Sequence, residues 1–259
     1  MSLAIRNQME EIIPEGLIVT RSWLQDTMNL GKHTLDNLVK SGYLKSIQRG
    51  IYIRGAKKRT SWRSIVFSLQ NIIKSDLLVG GLTALELKGY THYIPVSGTE
   101  QIMLYGDANV PQWCNEYVLK ATFYKHSQRE IFANMNKEEI AKYTISISWE
   151  DTQIKAVCPE MAILQVLRQV PNEISFEHAA ELMQGMTSLS PRKLQALLEA
   201  CTHIGIKRLF LFLANHYNYV WFTKLKIENI HLGSGKRMLV EGGELDKNYL
   251  ITVPKNFMK

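Results

Sequence analysis

The sequence predicts an α+β protein: an N-terminal winged helix-turn-helix followed by a larger mixed α/β domain. Three observations lead there. Before residue 42 apolar residues recur at helical spacing in three short segments; two strand-like runs then meet at a glycine turn; beyond residue 60 strand-like and helical patterns mix. These set the expected domains at residues 1–59 and 60–259.

From Leu3 to Ile13, Ile5, Met9, Ile12 and Ile13 share one helical face, and Pro14 and Gly16 stop the helix. A second helix begins at Thr20 or Ser22, either of which can cap free amides, with Gln25 placed to complete a capping box after Ser22. It ends near Met28, and Asn29-Leu30-Gly31 forms the turn. Leu35, Leu38 and Val39 mark the buried stripe of a third helix from about Lys32 to Ser41, with Gly42 as its left-handed terminator. Tyr43 to Ile47 and Ile51 to Ile53 then flank Gln48-Arg49-Gly50, a hairpin with Arg49 at its tip. A hairpin directly behind the third helix is a wing.

With the Leu35 stripe inward, Lys32, His33, Asp36, Asn37 and Lys40 turn outward and Thr34 lies near the boundary. That set suits a DNA major groove. Lys32 and Lys40 reach phosphates, Asn37 matches an adenine edge, His33 or Thr34 can donate to base or backbone, and Arg49 adds a cation from the wing. Small helical modules with a hairpin also bind proteins, and exposed Lys or His is commonly just solvated. The charge distribution favours DNA. Residues 1–60 hold ten Lys or Arg against five Asp or Glu, whereas the remainder has 21 against 19, so most of the net +7 sits at the front. The run Lys57-Lys58-Arg59 reads either as a phosphate grip or as a solvated linker.

Beyond Thr60, Trp62, Ile65, Val66, Leu69, Ile72 and Ile73 give a helix of about four turns. Leu77 to Val79 is a short strand, Gly80-Gly81 a turn, and Thr83 to Lys88 a helix closed by Gly89. Strands are expected at Glu100 to Tyr105, Tyr117 to Tyr124 and Thr144 to Trp149. A helix follows from about Pro159 to Gln169, and three more lie between Ser175 and Tyr217, with Ser190-Pro191 opening the second. A final strand pair is expected between Leu239 and Val253 around Gly242-Gly243.

Composition limits the functional classes. Cys114, Cys158 and Cys201 are odd in number and far apart, with no C-x-x-C, which argues against a disulfide framework or structural zinc. All three thiols are expected to be buried. Residues 1–13 lack the apolar core of a signal peptide, and the longest strongly apolar run, Leu209 to Ala214, is six residues where a spanning helix needs about 20. A cytoplasmic protein without cofactor or metal is expected.

Local motifs do not point to an enzyme. Gly233-Ser234-Gly235-Lys236 resembles part of a phosphate-binding loop, but Ile230 and Arg237 stand where a Walker loop needs a glycine and a Ser or Thr. Gly80-Gly81-Leu82-Thr83 can offer free amides to an anion, although the tight turn needs those glycines anyway. Glu138-Glu139 and Glu150-Asp151 are adjacent pairs whose side chains diverge. No H-E-x-x-H and no nucleophile elbow is present. A metal-dependent nuclease assembled from distant residues, or a regulator whose second domain senses a ligand, stays open at this point.

The order of several segments resembles a known family. These are Gly42-Tyr43-Leu44, Arg49-Gly50-Ile51-Tyr52, Gly80-Gly81-Leu82-Thr83-Ala84-Leu85-Glu86-Leu87, Ser234-Gly235-Lys236-Arg237, Gly243-Glu244-Leu245-Asp246 and the strand from Tyr249 to Pro254. In this order they are similar to the AbiEi antitoxins of type IV toxin-antitoxin systems, active in abortive infection. The resemblance implies a winged helix that binds inverted repeats in its own promoter and represses the operon. It further implies a C-terminal domain that counteracts a nucleotidyltransferase-like toxin without a stable complex. Carried over by position, the DNA-binding residues are Lys32, His33, Thr34, Asn37, Lys40 and Arg49.

Overall fold

A computed structural model describes residues 3–55, 59–91, 98–150 and 152–258, with side chains at residue 7 and from residue 9 onward. The chain begins with α1 (Leu3–Ile12), β1 (Ile18–Thr20), α2 (Arg21–Met28), α3 (Lys32–Lys40), β2 (Leu44–Gln48) and β3 (Ile51–Arg54). The strands form one sheet in the order β1-β3-β2, both pairings antiparallel. That succession is a winged helix-turn-helix.

Local chemistry explains its joints. The Thr20 hydroxyl accepts from the Trp23 amide at 3.2 Å, so Thr20, not Ser22, caps α2. Asn29 ends that helix in the left-handed region (φ 49°), a conformation an asparagine tolerates well. Gly42 (φ 75°) follows α3 as a left-handed glycine should. The third strand of the sheet, β1, is too short to show alternation and exists by pairing Ile18 to Thr20 with Ile53 to Ile51.

The helices close over this sheet. Met9, Ile13, Leu24, Leu35, Leu38 and Leu44 are fully buried in one cluster, each side chain contributing about 1.5–3 kcal/mol of transfer free energy. Val39, the third residue of the stripe, is partly buried against it. Arg54 fastens the end of α1: its guanidinium donates to the Ile13 carbonyl and lies 5.5 Å from the centre of the Tyr43 ring.

The same cluster takes in Ile72 and, at its margin, Phe67. They belong to α4 (Trp62–Phe67) and to the π-helical segment Ser68–Ile72 that continues it. One uniform helix was expected here; the register widens instead, with the Ile73 amide donating to Ser68 O at 2.9 Å. Ser68 Oγ thereby donates to Ser64 O at 2.9 Å and accepts from the Ile18 amide at 3.3 Å, satisfying the outer edge of β1. Gln70, two residues on, is buried and bonds Leu77 O, Lys155 O and Lys155 N at 2.7–2.9 Å.

The remaining elements are β4 (Leu78–Val79), α5 (Gly81–Leu87), β5 (Glu100–Tyr105), α6 (Gln112–Tyr117), β6 (Ala121–His126), α7 (Lys137–Ala141), β7 (Thr144–Trp149) and β8 (Thr152–Val157). Then come α8 (Pro159–Arg168), α9 (Phe176–Gln184), α10 (Pro191–Ala200), α11 (Ile204–His216), β9 (Glu244–Asp246) and β10 (Ile251–Val253). Strands β6-β5-β4-β8-β7 make a second sheet in that order. The fold is α+β throughout.

The chain divides into two compact units. The first, residues 1–78, 94–125 and 146–155, holds the winged helix and most of the five-stranded sheet. The second, residues 79–93, 126–145 and 156–259, is built on α8 and α11, both buried along most of their length, with β9 and β10 as an antiparallel pair. Cys114, Cys158 and Cys201 are all free and buried, and burial pushes the thiols of Cys114 and Cys158 up to about 12. Among the described residues no helix is long and apolar enough to cross a membrane.

Three further expectations change. Residues 117–124 are not one strand: Gln112–Tyr117 is a helix, Lys120 (φ 49°) turns the chain, and the strand starts at Ala121. Strand β8 was not anticipated, although its side chains alternate in burial from Thr152 to Ala156 as a half-covered strand requires. The last hairpin turns after Asp246, not at Gly242-Gly243.

Candidate nucleic-acid interface

Helix α3 turns about 100° per residue, which sets His33, Asn37 and Lys40 opposite the buried Leu35 and Leu38. All three are exposed, as is Lys32 in the first turn, and Thr34 is half-buried at the flank. Lys40 also lies in the last turn, where a cation complements the helix dipole. His33 and Asn37 stand one turn apart and meet, with Asn37 Nδ2 3.1 Å from His33 Nδ1. Arg49 is exposed at the wing turn, where Gly50 (φ 79°) supplies the left-handed conformation that lets β2 and β3 pair closely.

Asp36 departs from the outward set. It lies on the flank of α3 turned toward α2, where its Oδ1 meets Arg21 Nη2 at 3.5 Å. The same guanidinium reaches the Tyr52 hydroxyl of β3 at 3.1 and 3.3 Å, and the Arg21 amide donates to the wing-turn carbonyl of Gly50 at 2.8 Å. One residue therefore ties α2 to α3, to β3 and to the wing turn. It also neutralises the one acid on α3. Sequence reading missed Arg21 because its partners lie 15 and 31 residues away, beyond any local period.

This link gives a testable consequence. Arg21→Ala is expected to weaken duplex binding several-fold, because the Asp36 charge is then unbalanced beside the cationic face. Adding Asp36→Asn should recover part of the loss, and a double-mutant cycle in a DNA-binding titration measures the coupling. Strictly additive losses would refute it.

The two anion-loop motifs resolve into structural roles. The Gly81 amide at the start of α5 donates to the buried Gln165 Oε1 at 2.8 Å, and Gln165 Nε2 donates in turn to Gln128 Oε1 at 2.8 Å. In the Gly233-Ser234-Gly235-Lys236 loop the carbonyls of Gly233 and Gly235 accept from Arg208 at 3.1 and 2.6 Å. Carbonyls converging on a buried cation are the reverse of a phosphate cradle, which aims amides at its ligand. Glu139 closes a capping box with Asn136 at the start of α7. Among the described residues no group of three or more His, Cys, Asp or Glu is arranged to hold a metal. Lys57, Lys58 and Asp151 lie outside the described residues, and Arg59 is exposed.

Comparison with known families fits this geometry. Residues 3–96 match the model described as "Transcriptional regulator, AbiEi antitoxin N-terminal domain", and residues 99–254 match "Transcriptional regulator, AbiEi antitoxin, Type IV TA system". The chain belongs to the AbiEi antitoxin family. No curated protein matches it. Among solved structures the RV2827C protein from Mycobacterium tuberculosis is similar, with 13% identity and a TM-score of 0.63 over 96% of this chain and 89% of that one. At that identity the likeness shows a shared fold. For this AbiEi chain, the two matched segments account for the N-terminal winged helix and for the segments after residue 99 in which the sequence resemblance was seen.

Proposed function

We propose that this AbiEi chain is the repressor and antitoxin of a type IV toxin-antitoxin operon. Its winged helix, residues 1–59, binds inverted repeats in its own promoter, and residues 60–259 counteract a nucleotidyltransferase-like toxin without a stable complex. Lys32, His33, Thr34, Asn37, Lys40 and Arg49 make the DNA contacts, with α3 in the major groove. The protein works in the cytoplasm, without a cofactor and without catalysis of its own.

The observation that supports this reading most is the exposed face of α3, where two lysines flank a His33–Asn37 pair and the helix's acid is held aside by Arg21. Cations that reach phosphates give affinity, whereas an amide that reaches a base edge gives sequence preference. The two are separable. Asn37→Ala is expected to cost roughly 1 to 3 kcal/mol on the upstream DNA of its own gene and much less on unrelated duplex. Titration of both duplexes at one salt concentration checks it; an equal loss on the two refutes a reading role for Asn37.

A further inference from the structure

The contact between His33 and Asn37 fixes more than a rotamer. An amide nitrogen in Asn37 Nδ2 can only donate, so at 3.1 Å the His33 Nδ1 must be the acceptor, and the ring proton of the neutral imidazole sits on Nε2. Asn37 has two amide hydrogens, one cis to Oδ1 and one trans. Reading adenine in the major groove uses Oδ1 and the cis hydrogen together, against N6–H and N7. The trans hydrogen is then left over, and a bond from it to His33 Nδ1 would leave the reading edge free. Guanine presents N7 and O6, two acceptors, and so meets the held Oδ1 with repulsion.

We infer that His33 and Asn37 form a single adenine-reading unit, in which Asn37 contacts the base and His33 is the positioning residue that holds its amide in the reading orientation. This rests on the reading of α3 as the groove-facing helix. Both side chains are exposed at the middle of the face, opposite Leu35 and Leu38, so without the bond the Asn37 amide would rotate freely and would have to be ordered by the DNA itself. Held beforehand, it discriminates between bases instead of adapting to either. The outward Nε2–H of His33 is left as a donor for a phosphate or a base acceptor beside the adenine.

The test is selection from a duplex library randomised over about 20 base pairs, sized to hold two half-sites one helical turn apart. The full chain is used, as wild type, His33→Phe, His33→Gln and Asn37→Ala. The readout is the ratio of adenine to guanine at each position of the enriched motif, which a general loss of affinity or of folded protein does not move. Wild type should show one position per half-site with adenine preferred roughly tenfold or more, and Asn37→Ala should lose that preference. His33→Phe, which removes the acceptor, should flatten the same position to within about threefold, as expected for an amide no longer held. His33→Gln, whose Oε1 can accept the same hydrogen from a residue four positions on, should restore it. If His33→Phe keeps the wild-type ratio, or if Asn37→Ala leaves the motif intact, the inference fails while DNA binding stands. If wild type enriches no motif, the DNA reading fails and the inference with it.

Discussion

Replacing Lys40 and Arg49 together by alanine is expected to weaken binding to every duplex sequence alike, and to weaken it most at low salt. Lys40 stands on the exposed face of α3 and Arg49 at the wing turn, both in solvent. Neither carries a buried contact whose loss would unfold the module. Each phosphate neutralised steepens the dependence of log affinity on log salt by about 0.9. Losing two contacts should therefore flatten the slope by roughly 1.8, so the gap between wild type and variant is about tenfold wider at 50 mM than at 200 mM salt. Titrations on the upstream DNA and on an unrelated duplex over that range read both numbers. A gap that ignores salt, or appears on one duplex only, would show that these cations do not sit on phosphates.

The second large effect is on stability. Arg208 is 2% exposed in α11, and among the described residues no carboxylate pairs with it; its guanidinium instead donates to four carbonyls. Leu232 O accepts at 2.8 Å, Gly233 O at 3.1 Å, and Gly235 O and Leu250 O at 2.6 and 3.3 Å. The loop 232–235 and the end of the turn before β10 are thus gathered on one buried cation. Arg208→Ala removes the donor from carbonyls of exposed or half-buried residues, with Leu250 O still accepting from the Arg237 amide at 2.9 Å, and is expected to cost about 1.5–3 kcal/mol through the lost charged hydrogen bonds. Urea unfolding of the full chain measures it. Arg208→Lys should lose nearly as much, because one ammonium cannot span the fork that the guanidinium fills. A cost below about 1 kcal/mol for either change would mean the loop is held by other contacts.

Helix α3 was legible from sequence because its information is local: Leu35, Leu38 and Val39 set the buried side, and Gly42 the end. The outward residues followed from the same periodicity, with Asp36 as the exception. Its position depends on Arg21, and pairing between two helices leaves no trace in either helix's own period. The His33–Asn37 bond is local, at a spacing of four, yet a polar pair on a helix face also has water as a partner and no pattern singles it out. Strand β1 and the π-helical turn were not legible for a related reason: three residues become a strand by pairing with β3, and Ser68 departs from α-helical register where it can satisfy Ile18. The helix Gln112–Tyr117, of which only Tyr117 falls in the expected strand, shows no helical period because its buried Trp113 and Cys114 lie side by side. Lys207-Arg208 at the head of an otherwise apolar helix was the one visible hint of the buried arginine.

The orientation of α3 on DNA can be tested with a single tethered reagent. The three native cysteines are buried, so a thiol introduced by Ser41→Cys, at the exposed end of α3, can be labelled alone with a DNA-cleaving chelate, and Glu11→Cys, exposed on α1, serves as its counterpart. Bound to the DNA upstream of its own gene, the reagent next to α3 should cut within a few base pairs inside each inverted-repeat half-site. The one on α1 should leave those positions at background. Equal cutting from both, or none above background from position 41, would mean that this helix does not lie in the groove.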